Sequence, residues 1–246
     1  MLTESKGVPA TQGNGVHVAR SPLLDDPSVA ACRRVVIVGA GGFGREVLEW
    51  ARAAWGDAAG RIAGFLSADA DRLHGHDAPP LLGDPAAFAP QPGDGFLLAI
   101  GVPLVRRRVA EALLARGAVF LSLVHPTAIV AATATIGVGS ILCPYAIVSD
   151  SCRLGRFALL NYHASLGHDA SAGDFAVFSP YASLAGGARV DDDVFLGMHA
   201  TVGPGRRLGE RTKVSANSCA LVDVPADSLV HGVPGRVQPL VAVDHG

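Results

Sequence analysis

The hydrophobic rhythm of the chain changes once, near residue 125. Before that point short apolar runs alternate with stretches of helical period. Val35 to Val38 is a β-branched run that predicts a buried strand; a glycine-rich turn follows, and Val47, Leu48, Trp50, Ala51 and Ala54 then recur at the spacing of a helix face. "RIAGFLS" and "FLLAIG" predict two more strands, "LVRRRVAEALLARG" a helix ending at Gly117, and "VFLSLV" a last strand. Strands alternating with helices predict a small parallel sheet over residues 34–124. Arg106 to Arg108 fall on the second of these helices and are expected on a solvated face.

Beyond His125-Pro126 the period becomes six. Stepping by six from Val130 to Ala220 meets sixteen positions, all of them apolar. Four residues after each, the side chain is small at nearly every step from Ala134 to Ala200, with Arg206 the clear exception. Six matches neither helix nor simple strand; it fits a chain that turns a corner every hexad, three hexads to a triangular coil. The large apolar residue then points into the prism, and the small one sits where the backbone bends and leaves no room. Sixteen hexads make slightly over five coils, a prism about 25 Å tall at a strand spacing of ~4.8 Å. The predicted fold class is α/β plus an all-β solenoid: a small Rossmann-like parallel sheet followed by a left-handed parallel β-helix of hexapeptide repeats. Residues 1–33, aperiodic and rich in Gly, Pro, Ser and Asp, are expected to be a mobile extension. The α/β domain is placed at 34–124, the solenoid at 125–225, and a C-terminal loop and tail at 226–246.

Composition narrows the partners. Twenty basic against 22 acidic residues in 246, with no basic cluster larger than Arg106-Arg107-Arg108, argues against nucleic acid. Cys32, Cys143, Cys152 and Cys219 form no CxxC pair, which suits reduced thiols in a cytoplasm. The first 30 residues lack a continuous apolar core of the signal-peptide kind, and no apolar run reaches the length of a membrane span. A soluble cytoplasmic protein with no membrane partner is expected.

The repeat also converts sequence distance into layout, because residues 18 apart stack on successive coils. His163, Tyr181 and His199 share one column, whereas His168 falls on the next face beneath Gly186. Both histidines are expected to project outward. His168 is followed by Asp169, and Gly186 is expected to leave open space and an accessible N–H above it, so this corner offers a base beside room for a substrate. In the α/β domain, "GAGGFG" matches GxGxxG through Gly39, Gly41 and Gly44, between a strand and a helix whose N-terminus favours phosphate. A dinucleotide site would need an acid at the end of the second strand, where Ser67 stands with Asp69 slightly beyond. The same glycines would also permit close helix packing.

The run "LGHDASAGDF", the upstream "HPTAIV" and the closing "HGVPGR" resemble the sugar acyltransferases typified by sialic acid O-acetyltransferases and by N-acetyltransferases of UDP-linked 4-amino sugars. The resemblance covers about residues 34–237. It implies a homotrimer that uses acetyl-CoA to acetylate an amine or hydroxyl of a nucleotide-activated sugar by direct transfer, in the biosynthesis of a surface polysaccharide, glycan or glycosylated metabolite, with no metal. It further implies His168 as general base supported by Asp169, Gly186 as N–H donor to the thioester carbonyl, and Asn161 as part of the acceptor site. The sugar diphosphate would lie on Gly39, Gly41, Gly42 and Gly44, near Ser67 and Asp69. On the donor side it implies Gly186, Val177 where relatives often carry a histidine, Arg206, and Val233, Pro234 and Arg236 of the closing motif, in which Gly235-Arg236 replaces the usual Ala-Lys. Two rivals remain at this point. His163 and His168 have the five-residue spacing of the zinc ligands in γ-class carbonic anhydrases, although Thr127 stands where a third histidine is needed and His125 misses by two. A non-catalytic β-helix binding module is the other.

Overall fold

The computed structural model describes residues 31–240; residues 1–30 of the expected N-terminal extension and 241–246 of the tail lie outside the described residues. Five parallel strands open the described chain: β1 (Arg34–Val38), β2 (Ile62–Leu66), β3 (Leu81–Gly83), β4 (Asp94–Leu98) and β5 (Val119–Phe120), in the order β3-β2-β1-β4-β5. Helix α1 (Gly42–Trp55) joins β1 to β2, and α2 (Pro103–Leu114) joins β4 to β5. Pro103 starts α2 with its φ already set and no N–H to lose. The chain runs outward from β1 in one direction and then returns to its other side with β4. The crevice between the C-terminal ends of β1 and β4 is therefore the topological switch point of the sheet.

"VFLSLV", expected as one strand, is two. Val119–Phe120 closes the α/β sheet, while Leu123–Val124 pairs with Ile141–Leu142 and starts the solenoid one hexad before Val130. The solenoid has three parallel faces of two-residue strands. Its interior is a single apolar column that includes Leu142, Leu160, Phe178, Leu196 and Val214, with the small corner residues Ala146, Ala164, Ala182 and Ala200 fully buried among them. From Gly139 to Asn217 each corner turns on a residue of positive φ, such as Tyr145 at 60°, His163 at 59° and Asp169 at 60°, whose N–H bonds the coil before it: His163 N–H donates to Pro144 O and Asp169 N–H to Asp150 O. Near the end the coil shortens from 18 to 16 residues, pairing Val214 with Val230. The stretch after 225, expected as loop and tail, instead adds Ser228–His231 to one face and returns as an antiparallel strand, Arg236–Pro239. The hairpin caps a solenoid end that would otherwise expose its core.

The two parts share a core. On one face the outward strand residues Leu123, Ile141, Leu159 and Val177 are as buried as the inward ones, packed with Val47, Leu48 and Ala51 of α1 and with Val35 and Ile37 of β1. On this docked face both strand positions are apolar, as in Leu159-Leu160 and Val177-Phe178. A second contact corrects the expectation for the arginine run, since only Arg108 is exposed. Arg106 is fully buried. Arg107 lies 4.3 Å over the Phe175 ring and reaches Asp193 at 2.8 Å and Asp192 at 3.1 Å. Burial by itself lowers the pKa of Arg107, and the hydrogen bonds to Asp193 and Asp192 more than reverse that, so its guanidinium stays charged. Asp193 is only 8% exposed, so Arg107→Ala strands a carboxylate at the junction, and a loss of about 2–3 kcal/mol is expected in chemical denaturation. An unchanged midpoint would show that Arg107 is not a latch. No helix among the described residues is long and apolar enough to cross a membrane.

Candidate active site

The corner at residues 167–170 is built from the repeat. Leu166 anchors the coil inward, Ala170 fills the inner bend, and His168 and Asp169 are left projecting outward. Asp tolerates the left-handed backbone that this position imposes. His168 Nδ1 lies 2.8 Å from Asp169 Oδ2. A carboxylate only accepts, so Nδ1 carries a proton, and in the neutral ring Nε2 presents its lone pair. One coil below, Asp150 accepts from Thr133 Oγ1 at 2.6 Å and from Ser151 Oγ at 3.1 Å, and these bonds hold its carboxyl below the usual range. His168 thus stands above one carboxylate and against another.

Gly186 lies directly above, but the open space expected there is occupied. A methyl group built on Gly186 would come within 2.5 Å of His168 Nε2, because the imidazole lies over the glycine Cα. The glycine makes room for the base itself. Room for a substrate begins higher, since nothing lies within 4 Å of the missing side chain of Gly205 and only Gly205 backbone approaches that of Gly187. The N–H groups of Ala185 and Gly187 bond Val202 O and His168 O, whereas that of Gly186 has no hydrogen bond among the described residues. At the upper end of this bare column Arg206 bonds Pro204 O and approaches Asp223 at 3.5 Å.

The other expected residues scatter. Asn161 is at the preceding corner, its Oδ1 accepting from Tyr162 N–H, so one short strand, Ser165–Leu166, separates it from His168. His163 is on Asn161's corner, stacked between Tyr145 at 5.0 Å and Tyr181 at 4.7 Å, and Tyr181 stacks in turn on His199. The two histidines therefore occupy different corners, and His125 is bonded to Thr127 Oγ1. Among the described residues no group of three His, Cys, Asp or Glu side chains is placed to hold a metal ion. Val177 needs correction as a donor-site residue: it is 2% exposed because it belongs to the docked face, covered by the α/β domain. Val233 is 73% exposed on the hairpin loop, next to Pro234. Arg236 is exposed at the start of the return strand, and Gly235 N–H fixes this loop on Cys219 O.

In the glycine-rich turn the four glycines divide. Gly39, at φ +112°, is pressed on Ala99 O, and Gly44 on Gly39 O, so these two permit close packing. Gly41 has nothing within 4 Å of where a side chain would be and Gly42 only the tip of Arg45, which leaves the N-terminus of α1 open beside the switch-point crevice. Ser67 and Asp69 follow β2, but Asp69 already accepts from Asp71 N–H and pairs with Arg72 at 2.9 Å.

Residues the sequence reading passed over include Asp150 and Tyr145, both one coil from residues it singled out. The 18-residue stacking rule identifies both.

Residues 34–113 match the PglD N-terminal domain family. Among solved structures, PerB from Caulobacter crescentus, crystallised with CoA and GDP-perosamine, is 28% identical, with 83% of this chain and 97% of that chain covered and a TM-score of 0.75. The acetyltransferase domain of PglB from Neisseria gonorrhoeae is 26% identical over 83% of this chain and 98% of its own, with a TM-score of 0.74. A histidine-to-asparagine variant of the Caulobacter crescentus perosamine N-acetyltransferase, with CoA and GDP-perosamine, is 26% identical over 83% and 96% with a TM-score of 0.67. No match was found among curated proteins. The domain match and the neighbours together fit the sugar acyltransferases that the sequence resembles, those with a Rossmann-like N-terminal domain and a hexapeptide-repeat β-helix.

Proposed function

We propose that this protein transfers an acetyl group from acetyl-CoA to an amine or hydroxyl on a nucleotide-activated sugar, with His168 as general base. The observation that carries the reading is the His168 imidazole, held through Nδ1 by Asp169 and seated on Gly186. His168 Nε2 accepts the proton lost by the sugar amine or hydroxyl as that atom attacks the thioester carbonyl, and returns it to the departing thiolate. The N–H of Gly186, without an acceptor among the described residues, donates to the oxygen on which charge develops. The bare column over Gly187 and Gly205 takes the donor's arm, with Arg206 at its phosphate end and the Val233-Pro234 loop and Arg236 beyond. Asn161 contributes to the acceptor side. Gly41 and Gly42, at the open α1 terminus, take the sugar diphosphate, with Ser67 at the end of the neighbouring strand.

Self-association as a homotrimer and a cytoplasmic location belong to the same proposal. Supporting the first is a solenoid face whose outward residues, Ile129, Ile147, Ser165, Ser183, Thr201 and Cys219, carry no charge. Ile129 and Ile147 are 52% and 40% exposed in the single chain. Supporting the second are four cysteines, none of them joined in a disulfide among the described residues. The product would enter a surface polysaccharide, glycan or glycosylated metabolite. A thiol-release assay with acetyl-CoA against UDP-, GDP- and CMP-sugars and free sugars tests the reading, and silence across amino- and hydroxy-sugars of all three nucleotides would sink it.

A further inference from the structure

The residue least explained by the fold alone is Arg106. It points inward from α2, is 0% exposed, and has no carboxylate partner among the described residues. Through Nε and Nη1 its guanidinium donates to backbone carbonyls from both parts of the molecule, while Nη2 has no hydrogen-bond partner among the described residues. Nε donates to Phe157 O at 2.6 Å, on a solenoid corner, while Nη1 is shared between Leu98 O and Ile100 O, the latter at 3.0 Å. Burial lowers its pKa to about 9, which still leaves it charged at neutral pH. Holding an unpaired cation inside a protein is costly, and an apolar side chain of the same volume would anchor α2 more cheaply.

The position of those carbonyls gives the cost a purpose. Leu98 and Ile100 flank Ala99, and it is Ala99 O that presses on Gly39. Ala99 to Val102 is the loop leaving β4, one wall of the switch-point crevice; the glycine-rich turn leaving β1 is the other. On the solenoid side Phe157 stacks on Phe175 at 4.9 Å, the ring under Arg107, and the His168 corner lies on the stretch of chain between these two phenylalanines. A planar fork that grips loop 99–102 and a solenoid corner at once fixes the distance between crevice and corner.

We infer that Arg106 is a positioning residue for the nucleotide end of the substrate: it holds the crevice wall at residues 99–102 against the β-helix so that a nucleoside diphosphate seated there is aligned with His168. The inference rests on reading the crevice as the nucleotide-sugar site. Arg106→Met keeps the volume and removes the fork; Arg106→Lys keeps a charge that can satisfy Leu98 O or Ile100 O without spanning to Phe157 O. Calorimetric titration with UDP and GDP is expected to show about tenfold weaker binding in the Met variant and a smaller loss in the Lys variant. Amide exchange should accelerate at 99–102 and around 157 and stay unchanged elsewhere. With an active acceptor, KM for the sugar nucleotide rises about tenfold while KM for acetyl-CoA stays within about twofold. A folded Met variant, or the Lys variant if Met does not fold, whose UDP and GDP binding equals that of the wild type, including the case where neither nucleotide binds, overturns the inference. Wild-type protein that binds a nucleotide but acetylates no sugar defeats the functional reading alone, because the titration and the exchange data still decide the role of Arg106.

Discussion

His168→Ala is expected to lower kcat by a factor of roughly 10² or more while the protein folds, assembles and binds CoA as before. The asymmetry follows from exposure. The His168 and Asp169 side chains are 71% and 66% exposed, and a pair so wetted contributes little to stability, so its loss leaves the melting temperature nearly unchanged. Nothing in the prism depends on it either, since Leu166 and Ala170 fix the corner from within. What the variant loses is Nε2, the atom assigned to take the proton from the incoming sugar group. The fall should appear in kcat with both KM values little changed, because the imidazole is assigned to the reacting proton and not to either substrate's binding. A variant that turns over at near-wild-type rate would remove His168 from the mechanism, and a variant that loses CoA affinity in proportion would reassign it to donor binding.

The β-helix was legible in the sequence because its physics is periodic. Every hexad must put one large apolar group inside and one small group at the bend, so Leu142 to Ala220 could be placed before any coordinates. The same stacking placed His163 with Tyr181 and His199 and set His168 on another corner. The misreadings came where contacts cross between the two parts, because no period within either part encodes them. Val177 stands where the resemblance implies a donor-site residue, and docking of the α/β domain buries it. Arg106 reads as one of three solvated arginines, and only the approach of Phe157 O makes it a clamp. A partial signal existed in the paired apolar positions of every third hexad, Ile141-Leu142, Leu159-Leu160 and Val177-Phe178, which mark a face too greasy to meet water. Gly186 was recognised by position, but which atom fills the space a glycine leaves is a matter of side-chain geometry.

That geometry yields the sharper of the two large predictions. Gly186→Ala adds one methyl group at a residue whose φ lies outside the left-handed region, so the backbone accepts it without strain. The methyl would lie 2.5 Å from His168 Nε2 and 2.6 Å from Cε1, well inside contact distance, so the imidazole has to move. It can do so at little cost in stability, because it is exposed; melting should therefore shift by less than about 1 kcal/mol equivalent. The base is then displaced from the position Asp169 and the coil had fixed, and the methyl crowds the N–H assigned to the carbonyl oxygen. A displacement of this order at reacting atoms costs about 10–10² in kcat. The two corner residues should also fail to add. Once His168 is alanine there is no ring to displace, so the glycine change on that background should cost only its share of the N–H term, well short of its effect alone. Additive losses in the double variant would mean that Gly186 and His168 act separately, and that the stacking of the ring on the glycine has no part in holding the base.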